Sequence, residues 1–239
     1  MKNKFKAVIS VAYLNLTSLF RSPLWIFAQL LTPIGITLIL YFLGGEKALL
    51  YGLIGAIVAT VVHTSLSVAR LVVILKLIGF QDIFVASPVT PLEYMLGLSL
   101  SRFIGALPAT FIFIALMFYK LPLTFQSFAL VMLLILLTWI QFSLIAFSVS
   151  LYIKNLVHVD AVTMILSTAL ILLPPVYYPL AKLPPLFQKI ALLIPTTYTA
   201  EILRNALLNG SDYLTYLVGI LIYCGISIAL ISKKLSWGV

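Results

Sequence analysis

The stretch that decides the fold runs from Leu183 to Gly210, LPPLFQKIALLIPTTYTAEILRNALLNG. It follows a long apolar segment that breaks at Pro174-Pro175, and it precedes the last apolar run, which ends at Lys233-Lys234. Pro184, Pro185 and Pro195 divide it into two amphipathic pieces, each far shorter than the ~20 residues a membrane span requires. The stretch therefore reads as two short helices held at a membrane surface between two spans. In the first piece Lys189 is expected outside, with Leu186, Phe187, Ile190 and Leu193 buried. The second places Glu201 and Arg204 one turn apart on one helix face. Two readings of that pair stand. It fixes the surface helices as a local ion pair, so that a double charge swap recovers part of what Arg204→Glu loses, or it is a solvated pair worth well under ~1 kcal/mol.

The rest of the chain supplies the spans. Of 239 residues, 63% are apolar and 9% charged, against about 25% charged in soluble domains. The chain is thus expected to be an all-α integral membrane protein, one transmembrane domain over 1–239 with no linker long enough for a soluble domain. The net charge of +9 does not point to nucleic acid, because the basic residues are scattered at segment ends. Cys224 is the one cysteine, which excludes an internal disulfide, and it reads as a small packing residue inside an apolar span. The basic start, Met1 to Lys6, is followed by an apolar run with no A-x-A-like site, so cleavage as a signal peptide is not expected.

Phe5, Val8, Ile9, Ala12, Leu16, Leu19 and Phe20 recur on one helical face, with Lys4, Lys6, Ser10, Asn15, Thr17 and Ser18 mostly between them. Residues 1–22 thus predict an amphipathic helix lying in the interface. Arg21-Ser22-Pro23 ends it and starts the next helix. About six spans follow, at 24–43 (closed by Gly44-Gly45), 49–73, 94–119, 125–153, 161–180 and 213–232. The segment 74–93 is a more polar connection, Lys120-Leu121-Pro122 is a turn, and Lys154, Asn155, His158 and Asp160 form a loop. With the N-terminus inside, Lys2, Lys4, Lys6, Arg21, Arg70, Lys76, Arg102, Lys154, Lys233 and Lys234 fall on the cytoplasmic side. Only Lys47, Lys120, Lys182, Lys189 and Arg204 fall outside, so both termini are expected to be cytoplasmic.

This layout resembles the type 2 ABC transporter permeases, the membrane subunits of exporters related to drug and polysaccharide export systems. The features that carry the resemblance are the basic helix ending in Phe20-Arg21-Ser22-Pro23, Thr32-Pro33 in the first span, GFQDIFVASPVTPLEYMLG from Gly79 to Gly97, and the Leu183 to Gly210 stretch with Pro195-Thr196-Thr197-Tyr198. The resemblance implies that 74–93 is a cytoplasmic coupling loop meeting the ATPase subunit, through Gly79, Phe80, Gln81, Asp82, Phe84, Ser87, Pro88 and Glu93. A short amphipathic helix there can dock in a groove of a partner. It also implies that 182–210 forms re-entrant outer helices near a gate, with Pro184, Pro195, Tyr198, Glu201 and Arg204. A second permease subunit, identical or not, and membrane lipids complete the expected partners. The substrate would be amphipathic: a drug, lipid or lipid-linked molecule crossing the plasma membrane.

His63 and Ser67 put polar groups into the second span and Gln141 into the fourth; they mark a pathway or make interhelical hydrogen bonds. Asn209-Gly210-Ser211 matches a glycosylation acceptor but reads as a turn. No G-x-x-x-x-G-K-[ST] occurs. The chain is therefore expected to bind no cofactor and to be no enzyme itself; ATP and Mg would be bound by the partner ATPase. No Ser/His/Asp set suggests catalysis, and two histidines alone give little support to a metal. The alternative is a secondary transporter or another polytopic membrane protein not driven by ATP. Against it stand the scarcity of ionisable residues at span centres and the lack of a repeat linking the two halves.

Overall fold

The computed structural model describes residues 2–21, 23–121, 124–209 and 214–232. All regular structure among them is helical. Among the described residues three helical segments are long and apolar enough to cross a membrane, the first of them folded back on itself at Gly45, which fits an all-α membrane protein.

Helix α1 (Lys2–Phe20) is followed by α2 (Pro23–Leu77). An unbroken helix would set residues 37 and 52 about 22 Å apart. Instead the Thr37 hydroxyl donates to the Gly52 carbonyl at 3.1 Å, and the Thr64 hydroxyl donates to Gln29 Oε1 at 2.8 Å. So α2 is an antiparallel hairpin, reversed at Gly45, where φ is 66° and ψ −153°. Side chains are all but excluded from that backbone region, at a cost of ~1–3 kcal/mol. Gly45→Ala is accordingly expected to lower the thermal midpoint of the purified protein. Gly35→Ala, with nothing within 4 Å of the added methyl, should leave it unchanged or raise it. Equal midpoints for the two variants would remove the strain from Gly45.

The second leg of α2 is the axis of the bundle, buried almost continuously from Gly52 to Val62. Helices α4 (Pro91–Lys120), α5 (Phe125–Tyr152) and α6 (Leu156–Leu172) pack around it. Lys120 Nζ donates to Glu46 Oε1 at 2.9 Å, which joins the end of α4 to the tip of the hairpin. That hydrogen bond and the lysine charge hold the Glu46 carboxyl below its ordinary range. The opposite end carries α3 (Phe80–Val85), entered through Gly79 at φ 71°. There α4 starts in a capping box: Thr90 accepts from the Glu93 N–H and Glu93 accepts from the Thr90 N–H.

Several boundaries depart from the sequence reading. The polar connection shrinks, because α2 continues to Leu77 and α4 begins at Pro91. His158 and Asp160 lie in the first turns of α6 rather than in a loop, because the Asn155 side chain accepts from the Val157 and His158 N–H groups and starts the helix early. The same helix stops at Leu172, where Pro174 and Pro175 supply no N–H, and residues 173–179 are irregular.

Helix α1 packs on α4 through Val11, Ala12 and Asn15, with Gly97 leaving no room for a Cβ beside Val11. Asn15, expected on the polar face, is buried and donates to the Val11 carbonyl. Phe5, Ile9, Tyr13 and Phe20 form the exposed face.

A short 3-10 turn, Leu180–Lys182, leads to α7 (Pro185–Ala191), α8 (Pro195–Arg204) and α9 (Leu214–Ser232). Lys189 is exposed as expected, but so are the apolar residues expected to be buried: Leu186, Phe187 and Ile190 of α7 and Leu193 just after it. An apolar outward face suits a protein whose solvent is lipid. Helix α8 is not a surface helix. Nine of its ten residues are buried, and its threonines are satisfied internally. Thr196 donates to the Leu170 carbonyl at 2.6 Å, Thr197 to the Ala191 carbonyl at 2.5 Å, and Thr199 accepts from Thr138 at 3.3 Å. Gly210 and Ser211 of the acceptor motif, Pro122 of the expected turn, Tyr213 of the last span and both termini, with Lys233 and Lys234, lie outside the described residues.

Candidate functional site

Three structural features meet the expected site residues. The first is a groove of about 690 Å³ between the two legs of α2, α4 and α6. At the end nearer α3 it is charged. Arg70 Nε lies 2.7 Å from Asp160 Oδ1, and the Arg102 guanidinium sits 5.7 Å from the Trp25 ring. Its middle holds Gln29, His63 and Ser67, and its far end Pro33, Ile36, Ile171 and Leu172. His63, Arg70 and Met164 are exposed, so the groove opens sideways. Of the expected pathway residues, it brings together His63 and Ser67. Gln141 is elsewhere: it is fully buried in α5, and neither its amide nitrogen nor its oxygen has a hydrogen-bond partner among the described residues.

Arg70, Arg102 and Asp160 escaped the sequence reading as site residues. Arg70 and Arg102 served only as orientation charges, although helix geometry puts Arg102 about 16 Å into α4. An ionisable residue at that depth is itself a signal of function.

The second feature is α3. Its amphipathic character is as expected, but the expected contact residues divide between two faces. Gln81 and Phe84 turn inward, the Phe84 ring lying 5.0 Å from Tyr94 and 5.5 Å from Phe80. Glu93 is spent on the capping box and is buried. Gly79 sets the left-handed entry, and the Ser87 hydroxyl donates to the Phe84 carbonyl at 2.8 Å to close the helix. Asp82 and Pro88 remain exposed, joined by Ile83, 61% exposed, which had not been singled out as a contact.

The third is the α8 pair. Arg204 is 1% exposed and Glu201 6%. Arg204 Nη1 donates to Glu201 Oε1, and Nη2 donates to the carbonyls of Pro175 at 2.9 Å and Val176 at 3.0 Å. Glu201 Oε1 also accepts from the Leu180 N–H at 3.0 Å. The pair is therefore neither solvated nor purely local. It staples the irregular 173–179 segment and the 3-10 turn after it to α8, with Tyr51 of α2 5.7 Å from the guanidinium. Pro184 and Pro195 start α7 and α8, and the Tyr198 hydroxyl donates to the Leu192 carbonyl at 2.5 Å.

Compared with known families, the chain matches the family model described as ABC-2 type transporter over residues 6–208. The chain belongs to the ABC-2 type transporter family. As an ABC-2 membrane domain it is a permease component, distinct from the ATPase, and it partners an ABC ATPase subunit. It is accordingly a multi-pass membrane protein. No curated relative matches the sequence. The matched region takes in all three features, from the start of the groove to the staple. None of the groups of three or more His, Cys, Asp or Glu needed to hold a metal occurs among the described residues.

Proposed function

We propose that this permease exports an amphipathic substrate (a drug, a lipid or a lipid-linked molecule) across the plasma membrane, with the energy supplied by ATP and Mg bound on the separate ATPase. The observation that carries this reading is the placing of α3. It sits at the end of two long helices, anchored by Phe84 and displaying Asp82 and Ile83. A push on so short and well-anchored a helix is passed straight to α2 and α4, the walls of the groove.

In this reading the two legs of α2 with α4, α5, α6 and α9 are the six spans, and α3 and both termini face the cytoplasm. Helices α7 and α8 re-enter from the outer side beside a gate. Gln141, buried and unpaired, would join the pathway only if the bundle opened. Two copies, or two related subunits, enclose one pathway, because a bundle of this size lines half of it. The exposed apolar faces of α6 and α7 are available to that partner and to membrane lipids.

The test is co-expression with a candidate ABC ATPase, followed by affinity purification and reconstitution. We expect the ATPase to co-purify and ATP to drive an amphipathic dye across the vesicle membrane. A chain that retains no ATPase and moves the dye without ATP would overturn the reading. The Arg70–Asp160 pair in the groove is the one observation that favours an ion-coupled carrier, and the second outcome would select it.

A further inference from the structure

The groove is polarised along its length, and its charges do not balance. Trp25, Arg70, Arg102 and Asp160 lie at its α3 end, whereas Pro33, Ile36, Ile171 and Leu172 line the other. Between them Gln29 is taken up by Thr64, while His63 stays at the open side. Asp160 is the single carboxylate of the groove and it is paired with Arg70, close as charges but without the alignment of a hydrogen bond. Of the other described carboxylates, Glu46 pairs with Lys120 at the hairpin tip, Glu201 with Arg204, Glu93 caps α4, and Asp82 is exposed on α3. No carboxylate lies within ion-pair distance of Arg102 among the described residues. Its Nε is buried with no hydrogen-bond partner among the described residues. An unmatched guanidinium in a lipid-facing groove is costly and calls for an anion, and the planar fork of arginine suits phosphate or carboxylate oxygens.

We propose that the groove binds an amphiphile with an anionic headgroup. The headgroup is held between Arg102 and Arg70 at the α3 end, and the tail runs over Pro33, Ile36, Ile171 and Leu172. A volume of about 690 Å³ falls within the ~300–1,000 Å³ of small-molecule sites. The sideways opening admits a tail directly from the bilayer. This deepens the permease reading and rests on it: that reading supplies an amphipathic substrate, and the groove adds its charge and its orientation.

Binding is measured on the purified full chain with three fluorescent probes of matched tails: a phosphatidate, an uncharged diacylglycerol and an alkylammonium. The phosphatidate should bind best. Arg102→Gln should weaken it roughly tenfold or more and leave the diacylglycerol unchanged. Arg102→Lys should retain part of the preference. Asp160→Asn, which frees Arg70, should tighten the phosphatidate. Inorganic phosphate should not compete at concentrations that saturate a headgroup site, since the tail contributes to the affinity. Equal binding of phosphatidate and diacylglycerol, preference for the alkylammonium, or an unchanged preference in Arg102→Gln would overturn the proposal. Competition by phosphate alone would place a free anion, not an amphiphile, in the groove, and so would overturn it too. Because these readings need no ATPase, they judge the groove separately from the co-purification that judges the permease reading.

Discussion

Replacing Arg204 with alanine is expected to remove folded protein from the membrane rather than to slow transport. The change strips three partners at once: the Glu201 carboxylate and the carbonyls of Pro175 and Val176. None of them can turn to water, because α8 is buried on nearly every side. Breaking a buried pair from one side costs about 3–5 kcal/mol, a large part of the ~5–15 kcal/mol by which a typical protein is stable. The double charge swap should not rescue the fold. A carboxylate at 204 would face two carbonyl oxygens, and a guanidinium at 201 would face the Leu180 N–H, donor against donor. Arg204→Lys should be intermediate, since one ammonium replaces a fork that serves a carboxylate and two carbonyls. The yield of monodisperse protein and its thermal midpoint decide the matter. A wild-type midpoint in Arg204→Ala would mean that the staple holds nothing, and recovery in the double swap would restore the purely local pair.

That staple shows what the sequence conceals. The spacing of Glu201 and Arg204 gives their shared helix face but not their depth. Helix α8 is short, polar and threonine-rich, features that argue for a surface position. The threonines are nevertheless compatible with burial because carbonyls from Leu170 and Ala191 accept from them, and no local pattern announces those carbonyls. The α7 residues were misplaced for a related reason. In water an apolar face turns inward, but in lipid it has no such obligation, so periodicity finds the face and not its direction. Where the chain punctuates itself the reading held: Gly44-Gly45 at the hairpin tip and Pro174-Pro175 after α6 are local backbone requirements. Arg70, Arg102 and Asp160 are legible one at a time, but what brings them into one groove is the packing of α2, α4 and α6.

The second large effect is expected at Ile83. Helix α3 has six residues, and its inward side is used up. Phe84 is 7% exposed among Phe80 and Tyr94, and Gln81 is 8% exposed. What remains outward is Ile83 at 61% and Val85 at 38%, with Leu77 and Ile78 just before the helix at 59% and 67%, and the charge of Asp82. At the end of the bundle that the permease reading turns to the cytoplasm, these apolar side chains meet water instead of lipid, and a contiguous apolar patch in water marks an interaction surface. An anchor at the centre of such a patch is commonly worth about 2–4 kcal/mol in binding, or roughly 30- to 1,000-fold in affinity. Ile83→Asp should therefore abolish co-purification of the ATPase and stimulation of its hydrolysis while leaving the thermal midpoint of the permease unchanged. Asp82→Lys, at the rim, should instead alter the salt dependence of association. Phe84→Ala provides the contrast. It empties a buried site and should lower the midpoint by the equivalent of about 3–5 kcal/mol, with any loss of ATPase following from the damaged fold. If Ile83→Asp holds the ATPase as tightly as the wild type, α3 is an ordinary interfacial turn and the drive must enter the bundle elsewhere.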